Sequence, residues 1–574
     1  MDHRGKVVVA LDEASVITAL QQLAEQGVES IAVCLLHAYV NPAHELRVAE
    51  LALQVCPGID VSLSSDVVRE FREYERTSTT CINAFIKRPI RDHLTSLTQR
   101  IRAKGVPAAP FIMQGNGGVC TFAAATRLPV SVTHSGVMGG IVGATALALG
   151  CGIQDIITLD MGGTSADVSL VSNGKPVLAN RSSVGLHPLI VPTLDMVTIG
   201  AGGGSIAWAE SGSAMRVGPR SAGSVPGPAC YGQGGEQATV TDANLYCGRL
   251  NAAYFLAGAR PLYPELAQQA IERLGQALGV APDQAALGII SIAEMHMANA
   301  VKLVSVERGL DPRDFTLVAF GGAGALHAVQ LAEALAIDKI LIPPAPGNLS
   351  AMGLLCADVR HDLARTHVGE LDALDLLQVR SLYQQLLEEA ARLLDGDGVD
   401  SERRQFALSA DVRYQGQNYH LNLDVSEHEL ERGFSALAAR FHAQHLRVYG
   451  YELAGRSLQL VNTRVTAIGI NPVSDWPQMD TAPATSGSVE QRSLLLATGQ
   501  RVTAPVYRLA ALPAGFELDG PAIVEYPGAT LYLAPLWHCR FDAKRNAHLV
   551  TTRHRHAQSD LKTMTQPEQE HAHV

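Results

Sequence analysis

One short segment in the middle of the chain has the composition of a phosphate-binding turn: Leu-Asp-Met-Gly-Gly-Thr-Ser-Ala-Asp-Val. The run before it is apolar, which predicts a strand that delivers Asp160 to its end. Gly162 and Gly163 form a turn whose bare backbone can approach an anion, and Thr164 adds a hydroxyl. Asp167 opens the return strand. A plain hairpin with a glycine turn is the competing interpretation.

A carboxylate beside such a turn can hold a divalent cation. Mg²⁺ takes oxygen ligands and bridges the phosphate oxygens of a nucleotide, often through water. We therefore predict that Asp160 binds Mg²⁺ or another divalent metal and is catalytic. Asp167, together with Gly162, Gly163 and Thr164, is predicted to contact the nucleotide.

Two further glycine-rich loops suit the same ligand. One runs from Thr198 to Ser205, ahead of a possible short helix, and the other follows a predicted strand, Thr316–Phe320, and opens a helix. The N-terminus of a helix attracts anions, and glycine allows close backbone approach. Flexible connection or close packing would also explain each loop. The candidate glycines are Gly202, Gly203, Gly204, Gly321, Gly322 and Gly324.

Four other features have both a functional and a structural interpretation. Asp242, in a Thr-Asp-Ala-Asn turn, is a candidate catalytic carboxylate or else a helix cap. For His327 a packed or capping role is the better interpretation, and for Cys230 that of a buried bystander. The charge run from Arg72 to Arg76 is typical of a solvated face.

The elements that must position these residues alternate between strand and helix signals, which is typical of an α/β fold. We expect strands at Val7–Leu11 and Ser30–Leu36 and helices at Ala14–Gln26 and Ala43–Val55 in the first part. We then expect short strands at Ile156–Leu159 and Val168–Val171, on either side of the Asp160 turn, and a third at Pro176–Ala179 after a hairpin turn at Asn173–Gly174. The predicted domains are 1–130, a central ATPase-like domain 131–360, a C-terminal β-rich domain 361–552 and a disordered polar tail 553–574.

Bulk composition limits the class of protein. The 574 residues are 47% hydrophobic, and the formal net charge of −11 with no basic stripe argues against nucleic acid as a partner. No apolar run long enough to cross a membrane is evident. The nine cysteines have no CxxC spacing, which is typical of reduced thiols in the cytoplasm. These features favour a protein that acts on small molecules.

Three glycine loops in one segment suit the actin/hexokinase/Hsp70 type of ATPase, in which two related lobes hold ATP between hairpin loops. That fold predicts a second hairpin of the same kind, and none precedes Asp160. We therefore expect an incomplete first lobe, with half of the ATP site missing or supplied by another chain.

The chain resembles the hydantoinase A / 5-oxoprolinase family in strings that run almost from end to end. Besides the three glycine loops, they include Arg72-Glu-Tyr-Glu-Arg-Thr-Ser-Thr-Thr80, Met113-Gln-Gly-Asn-Gly-Gly118, Pro226-Gly-Pro-Ala-Cys-Tyr-Gly232, Thr239-Val-Thr-Asp-Ala-Asn244 and Pro346-Gly-Asn-Leu-Ser-Ala-Met-Gly-Leu354. Members of this family normally begin with a first DVGGT-like hairpin, so the resemblance implies an N-terminally truncated member.

The resemblance also implies a function. It points to an ATP-dependent amidohydrolase subunit that opens a small cyclic imide or lactam by phosphorylating the carbonyl oxygen, with ATP and Mg²⁺ as cofactors. A hydantoinase B-type subunit would be its partner in a hetero-oligomer. Two alternatives are a subunit of an ATP-dependent ketone carboxylase and an inactive truncated assembly subunit.

Overall fold

The computed structural model describes residues 1–179, 182–210, 214–453, 455–472 and 487–552. The chain forms two compact units, each assembled from separate stretches of sequence. The first unit comprises Met1–Met138, Leu178–Leu194 and Cys356–Ser474. The second unit comprises Gly139–Val177, Asp195–Leu355 and Asp475–Val574.

Helices and strands are interspersed along the chain. The helices are α1 (Glu13–Glu25), α2 (Ala43–Val55), α3 (Ser64–Val67), α4 (Glu73–Ala103), α5 (Phe122–Arg127), α6 (Ser135–Gly150), α7 (Val240–Tyr246), α8 (Pro264–Leu278), α9 (Pro282–Val304), α10 (Gly321–Leu335), α11 (Leu349–Cys356), α12 (Leu376–Gly396), α13 (Glu427–Arg432) and α14 (Ser435–Tyr449). The strands are β1 (Ser30–Val33), β2 (Asp60–Leu63), β3 (Phe111–Met113), β4 (Val119–Thr121), β5 (Ile156–Met161), β6 (Ala166–Ser172), β7 (Lys175–Pro176), β8 (Ser182–Val184), β9 (His187–Leu189), β10 (Met196–Ile199), β11 (Ser205–Glu210), β12 (Ala214–Ser221), β13 (Thr316–Phe320), β14 (Lys339–Ile342), β15 (Val359–Glu370), β16 (Arg404–Tyr414), β17 (Leu421–Asp424), β18 (Leu458–Gly469), β19 (Glu490–Leu495), β20 (Arg501–Arg508), β21 (Glu517–Asp519), β22 (Ala522–Glu525), β23 (Thr530–Leu533), β24 (Trp537–Phe541) and β25 (Ala547–Thr551).

The first unit is built around a sheet in the order β17-β16-β18-β15-β4-β3. Its long strands β16, β18 and β15 pair antiparallel. Helix α12 packs against β18. Its buried side chains recur every three or four residues, which gives the helix one apolar face for the sheet; they are Val379, Tyr383, Leu386, Ala390 and Leu394.

The second unit is built around a larger sheet in the order β10-β6-β5-β13-β14-β25-β24-β21. Strand β5 pairs antiparallel with β6 and parallel with β13, and β13 is parallel with β14. All five residues of β13 are buried, as expected for a parallel strand covered on both faces. An antiparallel hairpin continued by parallel strands is the core of one lobe of the actin-type ATPases. The predicted α/β class with a β-rich C-terminal part is confirmed.

A smaller sheet completes the second unit, in the order β19-β20-β22-β23. Buried side chains of this sheet, of the large sheet and of α7 to α10 form one continuous hydrophobic core. Residues from the C-terminal part of the sequence therefore lie beside those of the central part. The last strand, β25, pairs with β14 of the large sheet, so the segment 361–552 contributes residues to both units.

Most of the predicted elements are present. Helix α2 has the predicted ends, α1 differs by one residue, and the turn at Asn173–Gly174 takes the left-handed conformation at both residues (φ 52° and 72°). Three predictions were wrong. Residues Val7–Leu11 form no strand, and Val7 to Val9 are 45–73% exposed. The strand expected over Pro176–Ala179 is limited to Lys175–Pro176, and the loop before Ser205 leads into strand β11 rather than a helix.

Two expectations concern the rest of the chain. The tail 553–574 lies outside the described residues. One helical stretch, Pro282–Arg308, is long and apolar enough to cross a membrane by length and composition, contrary to the expectation from the sequence. Half of its apolar window is buried inside the protein, and the buried side chains of α9 belong to the core of the second unit. We therefore describe it as a core helix.

Candidate functional site

The Asp160 turn is a tight hairpin between β5 and β6. Asp160 and Asp167 are directly paired across the two strands, and the Gly162 N–H donates to the Ser165 carbonyl over 3.1 Å. A Cβ added to Gly162 or to Gly163 would meet no atom within 4 Å. The backbone of both glycines therefore faces open space, into which an anion could fit.

The second glycine loop packs on this hairpin through its backbone. Gly203 N donates to Gly162 O over 3.0 Å, and Gly204 N donates to Gly163 O over 2.7 Å. A Cβ on Gly202 would stand 2.5 Å from the nitrogen of Thr164, so only glycine fits there. These two loops therefore meet, as a shared binding site requires.

The third loop contacts the hairpin from the neighbouring strand. In β13, Phe320 pairs with Asp160, and Gly321 follows with φ +80°. A Cβ on Gly321 would lie 2.4 Å from both Asp160 Oδ1 and the Met161 carbonyl oxygen, so this glycine permits close packing. Gly324 also packs inward, since its Cβ would be 3.4 Å from the Leu159 carbonyl oxygen. Of this loop, Gly322 and Ala323 line the open pocket.

Two carboxylates lie side by side at the hairpin without a basic partner among the described residues. Asp160 Oδ2 accepts a long hydrogen bond of 3.4 Å from Ser350 Oγ, and Asp167 Oδ1 accepts one of 2.6 Å from Thr198 Oγ1. Burial, and secondarily the charge of Asp167, raises the pKa of Asp160 to about 6. Burial also raises the pKa of Asp167. Two partly buried negative charges side by side, with no basic partner among the described residues, suit a divalent cation.

The carboxylate of Asp242 is fully buried, and its oxygens already accept four hydrogen bonds within the chain. It accepts from the backbone N–H groups of Ala229, Cys230 and Thr239 over 3.2, 2.8 and 2.9 Å, and from Thr239 Oγ1 over 2.7 Å. These bonds fill the roughly four lone-pair positions of a carboxylate. The geometry thus corresponds to the capping alternative: Asp242 closes a capping box at the start of α7. Its neighbour Thr241 donates to the Gly203 carbonyl through both N and Oγ1, each over 2.8 Å.

An open pocket lies over the three loops, with about 770 Å³ of empty space that includes solvent at its mouth. Backbone of Gly162, Gly163, Gly203 and Gly322 forms one wall. Much of the remaining lining is apolar or aromatic, which suits the flat face of a base; it includes Tyr231, Leu250, Tyr254, Phe255, Leu256 and Leu326.

One whole wall of this pocket was not predicted from the sequence. Residues 525–530, between β22 and β23, lie against the third loop, and the Gly322 Cβ position is 3.7 Å from the Gly528 carbonyl oxygen. The Pro527–Gly528 turn was visible in the sequence, but its partner was not. Two residues that line the pocket each have a buried polar atom with no hydrogen-bond partner among the described residues, Tyr526 Oη and Asn244 Oδ1. A ligand could satisfy both.

The other candidate residues have clear surroundings. His327 is buried in α10, with Nδ1 3.1 Å from Glu294 Oε1 and Nε2 3.3 Å from Asn244 Nδ2, as expected for a packed histidine, although it also lines the pocket. Cys230 is buried, and burial raises the pKa of its thiol. The charge run is not wholly solvated, because Arg76 is 1% exposed and donates to Ser64 Oγ over 2.7 Å.

Comparison with known proteins covers nearly the whole chain. The sequence matches the hydantoinase/oxoprolinase family over residues 76–363, its N-terminal region over residues 1–56 and its C-terminal domain over residues 372–552.

Three individual proteins are similar over most of their length. An uncharacterised protein of Methanocaldococcus jannaschii is 35% identical over 93% of this chain and 79% of its own. The caprolactamase alpha subunit of Pseudomonas jessenii is 32% identical over 95% of this chain and 80% of its own. The acetophenone carboxylase gamma subunit of Aromatoleum aromaticum is 32% identical over 93% and 76%, respectively. The crystal structure of the ATP-dependent caprolactamase superposes with a TM-score of 0.85 at 31% identity, covering 96% of this chain and 81% of that one.

Proposed function

The chain belongs to the hydantoinase/oxoprolinase family, and on that premise we propose that it is the ATP-dependent subunit of an enzyme that opens a small cyclic amide or imide. The observation that carries the proposal is the pocket of the second unit, which glycines of all three loops line. Two partly buried carboxylates, Asp160 and Asp167, lie in the same hairpin as two of these glycines. Relatives named for ATP-dependent lactam opening support it.

The residues of the pocket fit a nucleotide and its cation. Gly162, Gly163 and Thr164 would hold the phosphates, since the Cβ positions of both glycines are open. Gly202, Gly203 and Gly204 would brace this hairpin from behind. Gly321 and Gly324 would allow close packing behind the site, and Gly322 would border the adenosine, whose base would lie along the aromatic wall.

Asp160 and Asp167 would hold the cation, Mg²⁺ or another divalent metal. The fit rests on their partial burial without a basic partner among the described residues and on the raised pKa of both. When bound, the cation would neutralise charge on the phosphate oxygens. For Asp242 we propose a positioning role, because its bonds fix the start of α7 and with it Thr241, which holds the Gly203 carbonyl.

The chemistry follows from what an unstrained lactam needs. The carbonyl oxygen attacks the γ-phosphorus of ATP, an O–P bond forms, and the bond to the β-phosphate oxygen breaks to release ADP. The activated carbon then accepts one water, and the carbon–nitrogen bond breaks with a proton passing to the ring nitrogen, which leaves an acyl phosphate. A second water cleaves this acyl phosphate into the carboxylate and inorganic phosphate. The role of this chain would be to align ATP for the first step.

We further propose that the chain works with a second subunit in the cytoplasm. The relatives are themselves named as subunits, one alpha and one gamma. A hydantoinase B-type chain is the partner that the family resemblance implies. A hetero-oligomer would complete the path from the activated carbonyl to the opened ring.

A ketone carboxylase is the second candidate function, because the acetophenone carboxylase gamma subunit is as similar in sequence as the caprolactamase subunit, 32% in each case. Such an enzyme would use the same ATP chemistry on a ketone and bicarbonate. Bicarbonate dependence of ATP hydrolysis separates the two functions.

Calorimetric titration of the purified chain with ATP and Mg²⁺ tests the proposal. Saturable binding that is lost in Asp160→Asn supports it, and lactams and ketones can then be screened with the partner subunit present. Absence of binding by the native, folded chain contradicts it and favours an inactive assembly subunit.

A further inference from the structure

Three side chains of different chemistry meet in the second unit, away from the residues that line the nucleotide pocket. Cys151 follows the end of α6, Asp542 follows β24, and His548 lies in β25. One ligand atom from each lies within 4.8 Å of the other two. All three side chains are partly buried, so the group is neither an exposed acidic patch nor an isolated cysteine.

The distances within this group are close to those around a tetrahedral metal ion. Asp542 Oδ2 is 3.2 Å from His548 Nε2 and 4.0 Å from Cys151 Sγ. Ligands bound to zinc at about 2.0–2.3 Å in a tetrahedron stand roughly 3.3–3.8 Å apart. Small side-chain rotations would therefore bring all three atoms onto one ion.

Two backbone N–H groups hold the carboxylate of Asp542 in this orientation. The backbone N–H groups of Lys544 and Asn546 donate to Asp542 Oδ1 over 2.9 and 2.8 Å, which leaves Oδ2 directed at the cysteine and the histidine. Such support of a ligand carboxylate by hydrogen bonds is usual in metal sites.

Asn546 supplies an independent indication of a missing ligand. Its side chain is 1% exposed, with Nδ2 2.8 Å from Asp542 Oδ2 and 3.7 Å from Cys151 Sγ. Its Oδ1 is buried and has no hydrogen-bond partner among the described residues. Turning the amide by half a turn would place this oxygen where Nδ2 now stands, beside the thiol. A buried amide oxygen without a partner is costly unless something binds it.

We propose that Cys151, Asp542 and His548 bind a divalent transition-metal ion of the zinc class, with Asn546 Oδ1 available as a fourth ligand. A thiolate, an imidazole and a carboxylate together suit zinc and disfavour Mg²⁺ or Ca²⁺, which prefer oxygen alone. The ion would tie the residue after α6 to the β24–β25 turn. This proposal is independent of the nucleotide site, since none of its residues lines that pocket.

Cobalt titration of the full chain, freed of metal by a chelator, tests this site. Bound Co²⁺ gives a near-ultraviolet charge-transfer band only when a thiolate is a ligand, and strong visible bands only when it is tetrahedral. We expect both bands to saturate at about one equivalent and to disappear when Zn²⁺ is added. The histidines of the tail, residues 553–574, contribute no such band because that segment contains no cysteine.

Matched variants identify which side chains bind the Co²⁺ that gives these bands. Cys151→Ser and His548→Ala should lose the thiolate band or weaken Co²⁺ binding at least tenfold. Cys356→Ser, which changes another free cysteine, and His538→Ala, which changes the histidine paired with Asp519 over 2.9 Å, should leave it unchanged. If Cys151→Ser does not fold by circular dichroism, Asp542→Asn takes its place. Absence of the band in the native chain, or its survival in the folded variants, would overturn the proposal.

Discussion

Gly321 lies directly against the side chain of Asp160, so close that a Cβ on the glycine would stand 2.4 Å from Asp160 Oδ1. The two residues are far apart in the sequence, and parallel pairing of β5 with β13 brings them together. The third glycine loop therefore serves the proposed cation site by leaving room for its carboxylate, and not only the nucleotide.

Gly321→Ala should damage that site. The new methyl group must displace Asp160 or the Met161 carbonyl, and the residue must also hold φ near +80°. We expect a loss of stability of about 1–3 kcal/mol and at least tenfold weaker Mg²⁺–ATP binding. Thermal unfolding and calorimetry measure the two effects. Gly136→Ala is the control, because its Cβ would meet nothing within 4 Å; equal behaviour of the two variants would contradict the steric argument.

Asp160→Asn should stabilise the chain in the absence of metal and nucleotide, yet abolish Mg²⁺–ATP binding. The folded pKa of Asp160 is raised from 3.8 to about 6, chiefly by burial, so the folded state binds its proton more tightly than the unfolded state does. The free energy of unfolding therefore falls as pH rises from about 4 to about 6, and the whole of this loss persists above pH 6.

Asp160→Asn has no carboxyl group to ionise at this position, so it avoids this loss of stability. The free energy of unfolding of the variant should exceed that of the native chain by roughly 1–3 kcal/mol at pH 7, and this difference should vanish near pH 4. Chemical unfolding at several pH values measures it, with Asp372→Asn, an exposed substitution, as the control. A constant difference between native and Asp160→Asn across this pH range would show that titration of Asp160 is not the cause.

The three glycine loops could be located from sequence because their signals are local. A buried run followed by glycines predicts a strand and a turn, and the hairpin from Asp160 to Asp167 needs nothing more. The wall at residues 525–530 could not be found in this way, since it depends on β25 pairing with β14 and on the Gly347–Gly528 contact. A helix cap was one of the two interpretations of Asp242 from the sequence, but its backbone donors at Ala229 and Cys230, 13 and 12 residues away, could not be predicted from it.

Tyr526→Phe should separate ligand binding from stability. Tyr526 lines the pocket, and its hydroxyl is buried and has no partner among the described residues, so its removal should leave the free chain equally stable or more stable. If a bound nucleotide satisfies this hydroxyl, its affinity should fall about threefold to tenfold. Tyr532→Phe is the matched control, since Tyr532 is 1% exposed in the adjoining strand but does not line the pocket. Unchanged ATP affinity in folded Tyr526→Phe would exclude the contact.

Asp242→Ala should lower the stability of the chain rather than act directly on the reaction. The carboxylate accepts four hydrogen bonds from buried donors, and its loss leaves Ala229, Cys230 and Thr239 N–H groups unsatisfied, so we expect a loss of about 2–4 kcal/mol. Because Thr241 follows Thr239 in the same capped turn and holds the Gly203 carbonyl, ATP affinity should weaken as the turn loosens. Asp242→Asn keeps one acceptor oxygen and should recover part of both losses. A catalytic carboxylate would behave differently: Asp242→Asn would then be fully folded, would bind Mg²⁺–ATP normally, and would lose only turnover in the assembled enzyme.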